Sequence, residues 1–345
     1  MDIASKNRVG RTGVEVTTLG FGATLIGNFM QPLTDAEARA MVDQAWGLGV
    51  RYFDTAALYG HGLSEYRLGH ALYERPRDAY SLLTKVGRVL KPAARGTFDS
   101  GLWVDPAPMS VTYDYSYDGI MRSAEDAMQR LMTDHIEMVL VHDVDAYTHG
   151  AEAQRGYFEQ AVTDGFRALE KLRDEGVVQA IGFGVNESDV LLEAMQRTDS
   201  DVLLLAGRYT LLEQDPIDDL FPLCRERGAS VILGGVYNSG ILATGPRDGA
   251  KFNYSPAPRE VLDRAARLET ICRRYDIPLA AAALQFAAAH PVVASVCIGS
   301  RRPEQQAQTA EYASLAVPSA LWEEMQAEGL IREDAPLPGD ERSAS

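Results

Sequence analysis

Four side chains stand at or just after the ends of short apolar runs in the first half of the chain. Asp54 and Tyr59 lie in FDTAALYG, Lys85 in LLTKVG and His142 in MVLVHD. A carboxylate, a phenol, an ammonium and an imidazole suit hydride transfer at a carbon that bears oxygen. Reducing a carbonyl needs a proton donor at that oxygen, oxidising an alcohol needs a base there, and a phenol can act in both directions. An unperturbed tyrosine ionises near ~10, too high for a ready base. An ammonium ~4 Å away at an effective dielectric of ~20 contributes roughly 4 kcal/mol, or about 3 pKa units, toward the phenolate. Lys85 is therefore expected to draw Tyr59 toward neutrality, with Asp54 holding Lys85 in place and His142 hydrogen-bonding the reacting oxygen. Taken singly, each residue has a plainer reading as a turn residue, a half-buried ring, a solvated cation or a core histidine. Their joint placement at successive strand ends is what those readings leave unexplained.

The elements that must position them are legible as alternation. Eight β-branched or Leu-rich runs are candidate strands, starting at Val16, Gly49, Ala79, Ile136, Val178, Asp201, Ala229 and Val293. Helical spacing fills most intervals, as in Phe158, Val162, Phe166, Leu169 and Leu172, whose steps of three and four make one apolar stripe. Thr34 with Glu37 reads as a capping box, and Gly176 as a helix C-terminal cap. Strands apolar throughout are buried on both faces, which implies parallel pairing under helices. Eight such units predict an α/β fold, a closed (β/α)8 TIM barrel, as one domain spanning 1–345. An open doubly wound sheet competes, but the first strand leads into GFGATLIG and not a GxGxxG phosphate loop. RVGRTGVEV predicts an N-terminal β-hairpin around Thr12-Gly13 covering the bottom of the barrel. Long loops are expected at the C-terminal face from Arg88 to Tyr117 and from Val236 to Pro258, and the last residues, in DERSAS, are expected to be disordered.

Of the 345 residues, 33 are Lys or Arg and 49 are Asp or Glu, a net charge of −16. That argues against nucleic acid or an anionic membrane as partner. Cys224, Cys272 and Cys297 are scattered without metal-site or disulfide spacing, so no metal is expected and a reducing cytoplasm fits. MDIASKNRVG lacks the features of a signal peptide. Oligomeric state is left open.

From the RVGRTG hairpin to SRRPEQ the sequence resembles the aldo-keto reductase family, whose catalytic Asp, Tyr, Lys and His match Asp54, Tyr59, Lys85 and His142 in order and context. LVHDVDAYTHG, YDYSYDGIMRS and GRYTLLEQ look most like its branch of aldose 1-dehydrogenases and pyridoxal 4-dehydrogenases. The resemblance implies a nicotinamide dinucleotide, NAD or NADP. Asn186 matches the position that binds the nicotinamide carboxamide, although by spacing it also reads as an N-cap with Asp189 three residues on. Gly299, Ser300, Arg301 and Gln305 match the adenosine-phosphate segment. Ala206, Gly234 and Gln305 depart from residues that many relatives carry to the cofactor, which leaves NAD and NADP both open. For substrate, Trp103, Tyr113 and Tyr115 in the long loop and Asp143 and His149 after His142 offer aromatic walls with polar groups, a mixture suited to a sugar.

The resulting expectation is an oxidoreductase moving hydride between a sugar-like alcohol or hemiacetal, such as an aldose C1 going to a lactone, and NAD(P). Pyridoxal 4-dehydrogenase and general aldehyde or ketone reductase chemistry would use the same parts. A glycosidase with Asp54 and Asp143 as its carboxylates and a cofactor-sensing regulatory subunit are the readings from other classes.

Overall fold

Side chains alternate across a strand, so a polar residue two positions beyond an inward apolar one stands one layer higher inside a barrel. That rule builds the site here. The computed structural model describes residues 1–339; the terminal stretch 340–345, expected to be disordered, lies outside the described residues. The strands are β1 (Lys6–Arg8), β2 (Glu15–Thr17), β3 (Leu19–Gly22), β4 (Tyr52–Asp54), β5 (Ser81–Val86), β6 (Arg88–Pro92) and β7 (Met109–Tyr113). They continue with β8 (Ile136–His142), β9 (Val178–Val185), β10 (Val202–Ala206), β11 (Ser230–Gly234), β12 (Lys251–Phe252), β13 (Ser255–Pro256) and β14 (Val293–Ile298). Strands β3, β4, β5, β8, β9, β10, β11 and β14 pair in parallel and close into an eight-stranded barrel in chain order.

All eight expected runs enter the barrel. The first, from Val16, divides: Val16 and Thr17 belong to hairpin strand β2 and only Leu19–Gly22 to the barrel. Helices α1 (Asp35–Gly47), α2 (Leu63–Leu72), α3 (Tyr117–Leu131), α4 (Ala146–Gln160), α5 (Phe166–Asp174) and α6 (Ser188–Arg197) lie in the intervals, followed by α7 (Leu220–Arg227), α8 (Ile241–Thr244), α9 (Arg259–Arg274), α10 (Leu279–Ala288), α11 (Pro303–Ser314) and α12 (Ser319–Ala327). The Thr34/Glu37 capping box is present in full at α1. Gly176 closes α5 with φ +75° and donates its amide to the Arg173 carbonyl. The stripe from Phe158 to Leu172 is buried along its whole length.

Inside the barrel, Tyr52, Leu83, Met138, Leu140, Ala180, Val202, Leu204 and Ile232 pack together, and Val9, Val14 and Val16 of the β1–β2 hairpin join them. A Cβ on Gly10 would come within 2.6 Å of the carbonyl of Asp201, just before β10, so the hairpin seals the end where the strands begin. One close approach makes the barrel wall intolerant. A Cβ on Gly182 of β9 would fall 1.8 Å from the Val202 carbonyl oxygen of β10. Gly182→Ala is expected to force the two strands apart and cost about 2–3 kcal/mol, read as a lower Tm in thermal unfolding.

The two long connections carry structure of their own. Arg88–Pro92 and Met109–Tyr113 form an antiparallel ribbon, β6–β7, and the second connection holds α8 and the short β12–β13 ribbon.

Candidate active site

On β4, β5 and β8 the inward residues Tyr52, Leu83 and Leu140 are each followed two positions on by Asp54, Lys85 and His142. Register sets Asp54 against Leu83 and Lys85 against Leu140, so the three polar ends rise together above the apolar floor. Tyr59 follows in the β4 loop, whose backbone is held by a turn from Tyr59 N–H to the Ala56 carbonyl. Gly27 lies so close beneath that a Cβ there would meet the Tyr59 carbonyl carbon at 2.7 Å.

Lys85 Nζ donates to both Asp54 oxygens at 2.9 and 2.5 Å, to the Thr55 carbonyl at 2.8 Å and to the Tyr59 hydroxyl oxygen at 3.2 Å. Lys85, Asp54 and His142 are all buried. Burial alone would lower the Lys85 pKa, but the attraction of Asp54 and Tyr59 outweighs it and holds the ammonium above its ordinary range. Burial pushes the Asp54 carboxyl up against the opposing pull of Lys85. For Tyr59 the net effect corrects the sequence expectation. Lys85 does pull the phenol down, yet burial is larger and leaves it pushed up to about 12. A group taken out of water keeps its neutral form unless the neighbouring charge exceeds the desolvation cost, and here Asp54 also cancels part of the ammonium field. Lys85 meets the phenol oxygen as a donor, and a side-chain hydrogen bond with Thr24 adds a smaller downward pull on the phenol. His142 is depressed well below its usual range by burial and by the cations Arg88 and Lys85, so it is neutral.

Trp103 faces the same space: its ring centroid is 5.7 Å from that of Tyr59 and 5.2 Å from that of Phe29, which in turn meets Tyr254 at 5.7 Å. The β3 connection, the β6–β7 ribbon and the β12–β13 ribbon thus meet in one aromatic wall beside the phenol. Asp143 is drawn into a charge network. Its Oδ2 accepts from Arg88 Nη2 at 2.8 Å and its Oδ1 from Asn186 Nδ2 at 3.2 Å. His149 is packed among Tyr113 and Tyr157, with ring centroids 4.5 and 4.4 Å away, and its Nε2 lies 3.0 Å from the Tyr115 hydroxyl.

Asn186 does not cap α6; that position is Glu187, and it makes no side-chain cap. Asn186 is held by Asp145 as well as Asp143: its backbone N–H donates to Asp145 Oδ2 at 2.8 Å, and its Nδ2 also reaches that oxygen at 3.2 Å. Gly299 sits where β14 passes β3, and a Cβ on it would come within 3.0 Å of the Gly22 oxygen. Ser300 Oγ and Arg301 Nη1 are buried without protein partners. Gln305 spends its side-chain oxygen on the Arg301 backbone N–H at 2.9 Å. Its neighbour Gln306, which sequence reasoning passed over, is the one with both amide atoms buried and unpartnered. Asn238 Oδ1 is another such atom. At the ends of β10 and β11, Ala206 and Gly234 lie side by side, with Gly207 and Gly235 at positive φ beyond them. This small-residue floor beside a rim of unsatisfied polar atoms suits a flat ring carrying a polar tail, and the residues fit a nicotinamide dinucleotide.

The sequence pattern of the Aldo/keto reductase family matches residues 18–328. The chain is 41% identical over 339 residues to a pyridoxal 4-dehydrogenase from Microbacterium luteolum, covering 95% of this chain and 98% of that one. It is 40% identical over 325 residues to a D-threo-aldose 1-dehydrogenase from Pseudomonas sp, covering 92% and 96%. Among solved structures, the holo form of an aldo-keto reductase from Bacillus halodurans superposes with a TM-score of 0.74 at 27% identity, covering 98% of this chain and 99% of that chain. By that match over most of its length, this chain belongs to the aldo/keto reductase family and is an NAD(P)-dependent oxidoreductase.

Proposed function

We propose that the enzyme oxidises a sugar-like hydroxyl, most simply the anomeric C1 of an aldose to its lactone, with Tyr59 as the general acid and base. The observation that carries this reading is the Lys85 ammonium donating to the Tyr59 oxygen at 3.2 Å while Asp54 closes its other side. The bound nicotinamide supplies the hydride acceptor, or the donor in reduction. Tyr59 holds the other half of the reaction: as phenolate it takes the hydroxyl proton, and as phenol it returns one to a carbonyl oxygen. Lys85 favours the phenolate electrostatically, and Asp54 fixes Lys85. Neutral His142 offers an N–H to the same substrate oxygen and orients it.

A sugar-like substrate is supported by the wall of Trp103, Phe29 and Tyr254, since flat rings pack against the C–H faces of a pyranose while polar groups take its hydroxyls. It is supported as well by the similarity to the aldose 1-dehydrogenase; pyridoxal would use the same wall by stacking. Against a glycosidase, Asp54 and Asp143 are each tied to a buried cation and neither is a free acid. The acidic net charge supports a partner other than nucleic acid. Three buried free cysteines support a reducing cytoplasm. Among the described residues no helix is long and apolar enough to cross a membrane.

The test is a panel of aldoses and pyridoxal assayed with NAD and NADP, following absorbance of the reduced nicotinamide. Turnover of an aldose to a lactone supports the reading; exclusive turnover of pyridoxal, or reduction of aldehydes alone, replaces the substrate while keeping the chemistry. Trp103→Ala removes the ring beside Tyr59 and is expected to raise KM for the preferred sugar about tenfold with a smaller change in kcat, because that contact binds ground and transition states alike.

A further inference from the structure

Arg88 opens the β6–β7 ribbon at the mouth of the barrel, three residues after Lys85, and only 2% of it is exposed. Its Nη1 lies 2.7 Å from His142 Nδ1, and its Nη2 donates to Asp143 Oδ2 at 2.8 Å. A guanidinium has five N–H donors and no acceptor, so the short contact requires a bare Nδ1 on the imidazole. In a neutral ring that leaves the proton on Nε2.

We propose that Arg88, held by Asp143, is a positioning residue that locks His142 in the Nε2–H tautomer and so points a donor at the substrate oxygen. This deepens the function proposed above and rests on it for the destination of that donor. The tautomer itself does not depend on the reaction.

The surroundings explain why the lock is needed. Lys85 on β5 and Arg88 on β6 both face the ring and disfavour its charged form. Asp143 Oδ2 lies 3.3 Å from Nε2 and favours a proton there. Asp143 in turn feels Asp145, while Asp54 is taken up by Lys85. The Tyr59 ring stands edge-on at 6.0 Å, and the Tyr115 hydroxyl donates to the His142 carbonyl at 2.8 Å, fixing the backbone. His149 Nε2 lies 3.0 Å from the same Tyr115 hydroxyl, on the backbone side of His142. Arg88 acts at Nδ1 and the Asp143 charge at Nε2, so removing both leaves the choice of tautomer unforced.

The lock is tested by histidine-selective 15N NMR of the whole protein, with the His142 signals among the six histidines identified by their loss in His142→Asn. In the native enzyme Nδ1 is expected bare and Nε2 protonated, without titration from about pH 6 to 9. Arg88→Met leaves a carboxylate buried and alone, so it is paired with Asp143→Asn, which keeps the acceptor for Asn186 and removes the unpaired charge. In that double variant a share of the His142 proton is expected to move to Nδ1 and the ring to titrate. kcat is expected to fall about 10- to 100-fold with KM within about 3-fold, and a new acidic limb is expected in the pH profile. Arg88→Lys, which can still donate to Nδ1, should restore the tautomer and part of kcat. A native proton on Nδ1, or an unchanged tautomer in a folded double variant, overturns the proposal. If the double variant does not fold, the native spectrum and Arg88→Lys still decide. Inactivity of the native enzyme on every sugar and aldehyde would strike the function proposed above and leave the tautomer readable.

Discussion

Tyr59→Phe is expected to lower kcat by about 10³-fold or more in both directions, with nicotinamide binding, read by quenching of protein fluorescence, unchanged. Phenylalanine keeps the ring against Trp103, 5.7 Å away, and removes only the oxygen that Lys85 contacts. Folding should survive, because the ammonium retains both Asp54 oxygens and the Thr55 carbonyl. The pH dependence of the native enzyme carries the same signature. With the phenol pushed up to about 12, it is protonated throughout the neutral range. Reduction, which uses that proton, is expected to be flat in kcat/KM from pH 6 to about 10 and to fall only as pH approaches the folded pKa. Oxidation uses the phenolate and is expected to climb about tenfold per pH unit over the same range, as the overall equilibrium demands when a proton is released. For stability the sign is equally definite. The raised pKa contributes stability that is complete below the unfolded value near ~10 and is lost as pH rises through about 12. Parallel profiles in the phenylalanine variant, at unchanged slope and height, would remove Tyr59 from the chemistry.

The shared face of Asp54, Lys85 and His142 is legible in the sequence alone, and the reason is parity. Asp54, Lys85 and His142 each lie two residues past an inward apolar side chain, and period-two alternation fixes their face without any long-range information. All three strands are staves of the closed barrel. Arg88 was not readable in the same way. In sequence it opens a Gly- and Pro-rich loop 54 residues from His142, and only the ribbon it forms with the Tyr113 strand brings it inside. The signal that could have exposed it is the pairing of an arginine just past one strand end with an aspartate just past the next, Arg88 with Asp143. The sign of the Tyr59 shift is hidden in the sequence for a different reason. The distance to a charge can be guessed from a motif, but the desolvation that opposes it depends on how completely Trp103 and the neighbouring loops cover the ring. Gln305 and Gln306 show the same limit at one residue's resolution. The resemblance points to Gln305, and only the turn at Arg301 shows that its side-chain oxygen is already spent while that of Gln306 is not.

Lys85→Met should produce the largest combined loss, because one atom serves both stability and chemistry. Its ammonium, 1% exposed at the side chain, is the only cation in hydrogen-bond contact with Asp54 among the described residues. Removing it leaves a buried carboxyl alone, and breaking a buried pair from one side costs about 3–5 kcal/mol. Asp54 is already raised by burial and loses the charge that lowered it, so its folded pKa moves further above the unfolded one. A carboxyl shifted that way contributes stability that is complete below ~3.9 and is lost as pH rises through the folded value. The variant is therefore expected to melt higher at pH 5 than at pH 8, opposite to a protein whose carboxylates are salt-bridged. Adding Asp54→Asn should recover most of the melting temperature at pH 8 and none of the activity, which separates the two roles. On the chemical side, a charge 3.2 Å from the phenol oxygen is worth roughly 5 kcal/mol at an effective dielectric of ~20, and Asp54 cancels part of it in the native enzyme. Losing the remainder makes the phenolate harder to form and the phenol a weaker acid, so kcat/KM should fall by about 10³-fold in oxidation and in reduction alike, as the fixed overall equilibrium requires. A stable double variant that still turned over within about tenfold of the native rate would mean that burial alone, without the ammonium, tunes the phenol.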